Sequence, residues 1–230
     1  MQRTLAFSIS IAAMAWTASA AADSPSLKGS YGFTGTAACL VAPGNSGIGT
    51  SSNPSGPAGF NGSLQPLDNS NSFSHSFSVE GIRKFDGNGT GTVNGTAVNI
   101  TVRPTPGPPP AVPAFPASAS TSNFSFKFTY TVNGDGSFST AMVPGTYSET
   151  FTAGPRAGQT ATTDAIPPFT GLISQDGSTL IVAHTDATME TTTYSNGDVW
   201  PEICHRSRVL IKLPAARDDD DHRSNSGGGS

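Results

Sequence analysis

The stretch NFSFKFTYTV, residues 123–132, decides the fold class of this chain. Aromatic or aliphatic side chains occupy every second position, and Ser, Lys and Thr fill the positions between them. Successive side chains of a β-strand point to opposite faces of a sheet, so a period of two with aromatic residues is typical of a half-buried strand. We therefore predict a strand here, with one face formed by Phe124, Phe126, Phe128, Tyr130 and Val132.

The same alternation recurs from SYGF at 30–33 to CHRSRVLIKL at 204–213. In FSHSFSV, residues 73–79, it groups His75 with apolar neighbours, and in GTYSETF, residues 145–151, it groups Glu149 with Tyr147 and Phe151. TLIVAHTD, residues 179–186, is apolar on both faces. In TVNGTAVNITV we expect one face to hold Thr96, Val98, Ile100 and Val102. In the last strand we expect Val209, Ile211 and Leu213 to face away from Arg206, Arg208 and Lys212.

Short turn motifs separate these segments: DGNG at 86–89, NGDG at 133–136, QDGS at 175–178 and SNGD at 195–198. Asn-Gly and Asp-Gly tolerate the positive φ that tight hairpins require. The first motif also resembles the start of a calcium loop, through Asp86, Asn88 and Thr90. Its twelfth position, however, is Ala97 where a bidentate Glu is needed, and no flanking helices or G-K-[ST] phosphate loop are predicted. We conclude that these motifs are turns of an antiparallel meander.

The two ends of the chain differ from its centre. Residues 1–22 combine Arg3, a short apolar run and small residues in A-x-A spacing, which predicts a signal peptide and a periplasmic or extracellular protein. Residues 23–216 are expected to form a single domain, in which 42–71 and the proline-rich 103–121 are long loops. The polar tail at 217–230 is expected to be disordered.

The cysteine pair and the turn pattern together suggest how the sheet is completed. Cys39 lies near the start and Cys204 near the end, and in an exported protein such a pair predicts a disulfide. A meander of about eight to ten strands has two edges, and closure into a barrel removes them. A disulfide between the first and last strands would lie where the edges meet. We therefore predict an all-β antiparallel barrel, with a two-sheet β-sandwich as the alternative.

Several segments resemble a known kind of protein: LKGSYGFTG at 27–35, SFSVEGIRKFDGNGTGTV at 76–93, YTVNGDGSFS at 130–139 and FTGLISQDGSTLIV at 169–182. This order resembles uncharacterised exported bacterial β-barrel proteins with a calycin or lipocalin-like layout. The resemblance implies a barrel fold. Tyr31 stands where the lipocalin G-x-W motif has its Trp, and no catalytic residue is implied.

The composition and the alternation pattern limit the functions that this chain could have. A net charge of −4 gives no basic field for nucleic acid, and no stretch after the signal is apolar enough to cross a membrane as a helix. We expect a small hydrophobic ligand, without a cofactor, in a lumen lined by Phe124, Phe126, Phe128, Tyr130, Tyr147 and Phe151.

Two alternatives remain open at this point. The first is an enzyme that uses His75, Glu149 and His205 for acid–base chemistry, or that holds a metal with His75, His184 and His205. In that case burial would raise the pKa of Glu149 and lower those of the imidazoles. The second is a structural or surface-interaction protein whose interior is filled by its own side chains, in which Glu149 serves only as a hydrogen-bond partner.

Overall fold

The computed structural model describes residues 27–44, 56–69, 71–102, 117–164 and 166–215, and every regular element within these ranges is a β-strand. The predicted signal peptide at 1–22 and tail at 217–230 lie outside them, as do residues 45–55, 70 and 103–116 of the two predicted loops. The proline-rich loop is shorter than predicted, because a strand begins at Ser118. Within the described ranges no helix is long and apolar enough to span a bilayer.

Eleven strands form one antiparallel sheet. They are β1 (Lys28–Val41), β2 (Phe73–Asp86), β3 (Thr90–Val102), β4 (Ser118–Val132), β5 (Ser137–Met142), β6 (Ser148–Ala153), β7 (Thr160–Thr163), β8 (Phe169–Ile173), β9 (Thr179–Ala183), β10 (Met189–Tyr194) and β11 (Val199–Lys212). The first strand also pairs with the last, so hydrogen bonds run in a ring and the sheet closes into a barrel. The predicted all-β fold is confirmed.

The wall of this barrel has eight strand positions. Five of them hold one long strand each, namely β1, β2, β3, β4 and β11. The other three each hold two short strands end to end: β5 then β6, β7 then β8, and β9 then β10. Strand β4 pairs with β5 through one half of its length and with β6 through the other, and β11 pairs with β9 and β10 in the same way. The chain is thus an eight-position meander with three interrupted positions.

Two of the three interruptions coincide with prolines in the sequence. The breaks at 143–147 and 164–168 contain Pro144, Pro167 and Pro168. Proline has no N–H and therefore cannot donate to a strand ladder. The third break, 184–188, faces the second across the sheet, since β8 pairs with β9 and β7 with β10.

The two ends of the barrel differ. One end, here called the closed end, carries the turns at 87–89, 133–136 and 174–178. In these turns the carboxylates of Asp86, Asp135 and Asp176 accept the backbone N–H two residues further on. Gly87, Gly136 and Gly177 have positive φ, so the predicted turns are confirmed. At the other end, the open end, lie the connections that follow β1 and β3 and the turns at 154–159 and 195–198.

Aromatic side chains fill the closed end and form what we call the floor cluster. The ring of Phe85 packs edge to face against Tyr31, Phe128 and Tyr130, with centroids 5.1, 5.2 and 5.0 Å away. The hydroxyl of Tyr31 donates to Gly177 O at 2.7 Å, and that of Tyr130 donates to Leu27 O at 2.7 Å. Further members are Phe138, Ile173 and Leu180.

The side chains of two strands group as the alternation predicts, and their burial shows which group faces the interior. On β3, Val98, Ile100 and Val102 are 47, 48 and 52% exposed, and the inner face holds Val93, Ala97 and Asn99. On β11, Val209, Ile211 and Leu213 lie outside, whereas Arg206, Arg208 and Leu210 are buried. The alternation predicts which side chains share a face, but apolar content alone does not show which of the two faces lies inside.

The predicted disulfide joins the strands that close the barrel. Cys39 of β1 and Cys204 of β11 are directly opposite in the ladder, with Cα atoms 4.1 Å apart, and both are buried. The bond therefore lies inside the wall, at the seam between the first and last strands.

Candidate functional site: an internal cavity

A cavity of about 430 Å³ lies between the floor cluster and the open end. It is bounded by long strands on one side and by the interrupted positions on the other. Its apolar lining includes Phe33, Phe77, Val79, Ala97, Phe169 and Leu210. At the open end its rim is polar, with Ser118, Ser120, Gln159 and Asn196.

Three aromatic rings form a flat patch on the cavity wall. Phe124 and Phe126 of β4 and Tyr147 lie side by side, with centroids 6.1 to 6.4 Å apart and interplanar angles of 15 to 30°. Phe151 also lines the cavity, further toward the open end. Of the six predicted lining residues, Phe128 and Tyr130 do not line the cavity, because both pack in the floor cluster.

Glu149 lies in the cavity wall, held by hydroxyl groups. Ser122 donates to one carboxylate oxygen, and the hydroxyl of Tyr147 donates to the other at 3.0 Å. Asn99 donates to Ser122 at 3.3 Å, which extends the network toward His75. Burial raises the pKa of Glu149, and these hydroxyl donors oppose that rise. The direction is the one expected from the sequence.

His75 faces the cavity next to Glu202. Nδ1 of His75 lies 3.7 Å from Oε2 of Glu202, at ion-pair distance but too far for a hydrogen bond. Its Nε2 lies 3.2 Å from Oδ1 of Asn99. The hydroxyl of Thr192 donates to Glu202 at 3.0 Å. Burial opposes ionisation of Glu202, yet His75, Thr192 and the nearby Arg206 hold its pKa below the ordinary value.

A second glutamate lies directly opposite Glu202. Glu190 of β10 pairs with Glu202 of β11 in the ladder and forms an ion pair with Arg206. Burial and the charge of Glu202 raise the pKa of Glu190 to about 7, against the effect of Arg206. The two neighbouring carboxyl groups therefore have pKa values displaced in opposite directions.

The predicted histidine sets do not assemble. His205 is exposed on the outer face of β11, because Cys204 and Arg206 on either side of it point inward. His184 is buried against the ring of Phe169, 4.1 Å away. Burial and the charge of Arg206 lower the pKa of His184 to about 4. An acid–base or metal site that includes His205 is therefore not formed in the interior.

Other groups of potential metal ligands fit a metal poorly. Among the described residues, the clusters are Cys39 with His75 and Glu202, and Cys204 with Glu190 and Glu202. Each includes a sulfur of the Cys39–Cys204 disulfide. A disulfide sulfur is not the thiolate that binds metals, so each set is left with two ligands.

Two arginines line the deep part of the cavity without a carboxylate partner. Arg83 of β2 is 5% exposed, and its guanidinium lies 4.7 Å above the ring of Phe128. Arg208 of β11 is also buried, and its Nη1 donates to the backbone oxygens of Thr36 and Ser207 at 2.8 and 2.7 Å. Within the described part of the chain, neither guanidinium lies at ion-pair distance from a carboxylate.

The sequence did contain a signal for these residues. Cys204 faces inward in any closed sheet that buries its disulfide, and a period of two then turns Arg206 and Arg208 inward as well. Likewise, Arg83 follows the inner phase of His75 and Val79 on β2. The charge of these arginine side chains is unfavourable for burial, whereas their positions in the strands predict that they face inward.

At the open end, one arginine is fully partnered. Arg156 forms an ion pair with Asp198 at 2.9 Å and donates to Gln159 at 2.9 Å. Its guanidinium lies 3.7 Å above the ring of Tyr194 and 4.5 Å above that of Trp200. The group ties the turn at 154–159 to the turn at 195–198 beside the cavity.

Comparison with known proteins finds no relative of this chain: no protein family, curated protein or solved structure matches it. Its function is therefore inferred from the residues of the cavity.

Proposed function

We propose that this protein binds a small, largely apolar molecule inside the barrel. The observation that carries the proposal is the cavity itself, whose volume of about 430 Å³ falls within the range of small-molecule sites, roughly 300–1,000 Å³. A structural protein of this size would be expected to fill such a space with side chains. This cavity also combines a patch of aromatic rings with polar side chains held in fixed positions, and ligand sites use such groups for apolar contact and for orientation.

The aromatic patch supports the apolar character of the ligand. Phe124, Phe126 and Tyr147 present nearly parallel rings that a flat or extended apolar body could cover. Because the Tyr147 hydroxyl is committed to Glu149, the patch keeps one orientation. We expect the ligand to enter through the open end, where the rim is polar.

Fluorescence of the neutral probe N-phenyl-1-naphthylamine tests this proposal. We expect saturable enhancement with the mature protein. Ala97→Trp should abolish it, because Ala97 lines the cavity and the indole would fill the lumen. Val98→Trp is the matched control, because Val98 is next to Ala97 on β3 but its side chain points outward and is 47% exposed.

Two results would contradict the proposal: no saturable enhancement with the mature protein, or equal enhancement in the two variants. Ala97→Leu, a smaller change, serves if the Trp variant does not fold, and is expected to weaken binding in part. Thermal unfolding of each variant shows which of them retain the fold.

A further inference from the structure

The deep part of the cavity buries two positive charges that no described side chain neutralises. Arg83 and Arg208 lie on strands β2 and β11, on either side of β1. Their guanidinium carbons are 6.0 and 5.7 Å from the centroid of the same ring, that of Phe169. Nη1 of Arg83 is buried and has no hydrogen-bond partner among the residues described.

Such an arrangement is costly in a protein without a ligand. A buried charge without a partner loses its hydration and gains little in return. Burial lowers the pKa of Arg83 to about 10, and burial together with the neighbouring arginines lowers that of Arg208 to about 9. Both side chains therefore remain protonated at neutral pH. Packing over aromatic rings offsets only part of this cost.

The carboxylates of the cavity are already engaged elsewhere. Glu190 pairs with Arg206, Glu202 lies beside His75 and accepts from Thr192, and Glu149 accepts from Ser122 and Tyr147. Positive charge is thus concentrated near the floor cluster, and negative charge lies away from it. An anionic group at the deep end would neutralise the local positive charge of Arg83 and Arg208.

We propose that Arg83 and Arg208 receive the carboxylate of an amphipathic ligand, whose apolar body lies along the patch of Phe124, Phe126 and Tyr147. This inference rests on the proposed function and specifies the chemical class of its ligand. The guanidinium fork suits a carboxylate because it offers parallel N–H donors. Nη1 of Arg208 is held by two backbone oxygens, which fixes the position of that guanidinium before binding.

Paired probes of equal shape test the inference. Decanoate and decanamide, and likewise 2-naphthoate and 2-naphthamide, are allowed to displace N-phenyl-1-naphthylamine from the mature protein. We expect each carboxylate to bind at least about tenfold more tightly than its amide, the usual worth of a charge-assisted hydrogen bond. Arg83→Met and Arg208→Met should each remove most of this preference while the amides bind as before.

Lys84→Met is the matched control, because Lys84 is next to Arg83 on β2 but is exposed on the outer face. It should leave the preference intact. Urea unfolding without ligand gives a second measurement. Arg83→Met should not lower the urea midpoint, since it removes an unpartnered buried charge, whereas a purely structural arginine would lower it on substitution.

The outcomes are distinguishable. If the neutral probe and all four compounds fail to bind, the proposed function and this inference both fall. If carboxylates and amides bind equally, the lumen is a binding site but the inference is overturned. A carboxylate preference that survives in both arginine variants, or that is lost in Lys84→Met, also overturns it.

Discussion

At the scale of single residues, the interior of this barrel contains several buried charged side chains among apolar ones. Glu149, Glu190 and Glu202 are buried. Glu149 and Glu202 accept hydrogen bonds from hydroxyl groups, and Glu190 forms an ion pair with Arg206. Buried polar groups cost free energy unless they are partnered, so these contacts fix the side chains that surround the cavity. Arg83 lacks such a partner among the described residues, and this unpartnered charge is the observation behind the proposed carboxylate ligand.

His184 should make stability depend on pH. Its pKa is about 4 in the folded protein, against about 6.5 in an unfolded chain. The unfolded state therefore binds a proton first as the pH falls, so the contribution of the neutral imidazole is present above pH 6.5 and lost toward pH 4. We expect the stability advantage of the wild type over His184→Gln to shrink over this range, measured by urea unfolding at several pH values.

Ala187→Ser is the control for this prediction, because Ala187 is exposed, lies close to His184 in the chain and has no titratable group. Its difference from the wild type is expected to stay constant between pH 7 and pH 4. A wild-type advantage over His184→Gln that is equally constant would contradict the account given for His184.

At the scale of elements, alternation and turn motifs predict the long strands well, because both are local properties. The aromatic face of β4 and the turns at Asp86 and Asp135 follow directly from neighbouring residues. Which face of β11 lies inside does not follow from neighbouring residues, since it depends on the pairing of Cys204 with the distant Cys39 rather than on Val209. The division of three wall positions into short strands also depends on long-range pairing, although the prolines mark two of the breaks.

Opposed glycines make room for aromatic rings on β2 and β3. Gly81 and Gly95 are paired in the ladder, and a Cβ on Gly95 would lie 2.6 Å from Glu80 O and 2.7 Å from Phe124 Cζ. Gly95→Ala should therefore lower the free energy of unfolding by about 1–3 kcal/mol, the usual cost of overpacking. Urea unfolding measures this cost.

Gly62→Ala is the comparison, since a Cβ there would meet no atom within 4 Å. It is expected to unfold at nearly the wild-type urea concentration. Equal urea midpoints for the two alanine variants would show that the ring of Phe124 does not need the space that Gly95 leaves.

At the scale of the whole molecule, the sequence predicts closure, whereas it leaves open whether the interior is hollow or filled. Two cysteines near the ends of a meander indicate that its first and last strands meet, and the ladder between β1 and β11 confirms this. Whether a barrel is filled or hollow depends on how side chains from all strands meet. Phe85, Phe128 and Phe138 pack in the floor cluster, whereas the cavity above it is lined in part by the small side chain of Ala97.

Closure also leads to a prediction about the disulfide. Cys39 and Cys204 are 165 residues apart in sequence, so their bond restricts the unfolded chain over most of the domain. The chain-entropy model gives about 5 kcal/mol for such a loop, and measured losses are typically 2–5 kcal/mol. The double variant Cys39→Ala/Cys204→Ala should therefore unfold at lower urea concentration, monitored by the fluorescence of Trp200.

Because the ladder from Tyr31 to Val41 still holds the seam, the variant should retain the fold and bind N-phenyl-1-naphthylamine. Reductant should lower the midpoint of the wild type and leave the double variant unchanged. A wild type that is insensitive to full reduction would show that the ladder alone sets the stability of the closed sheet.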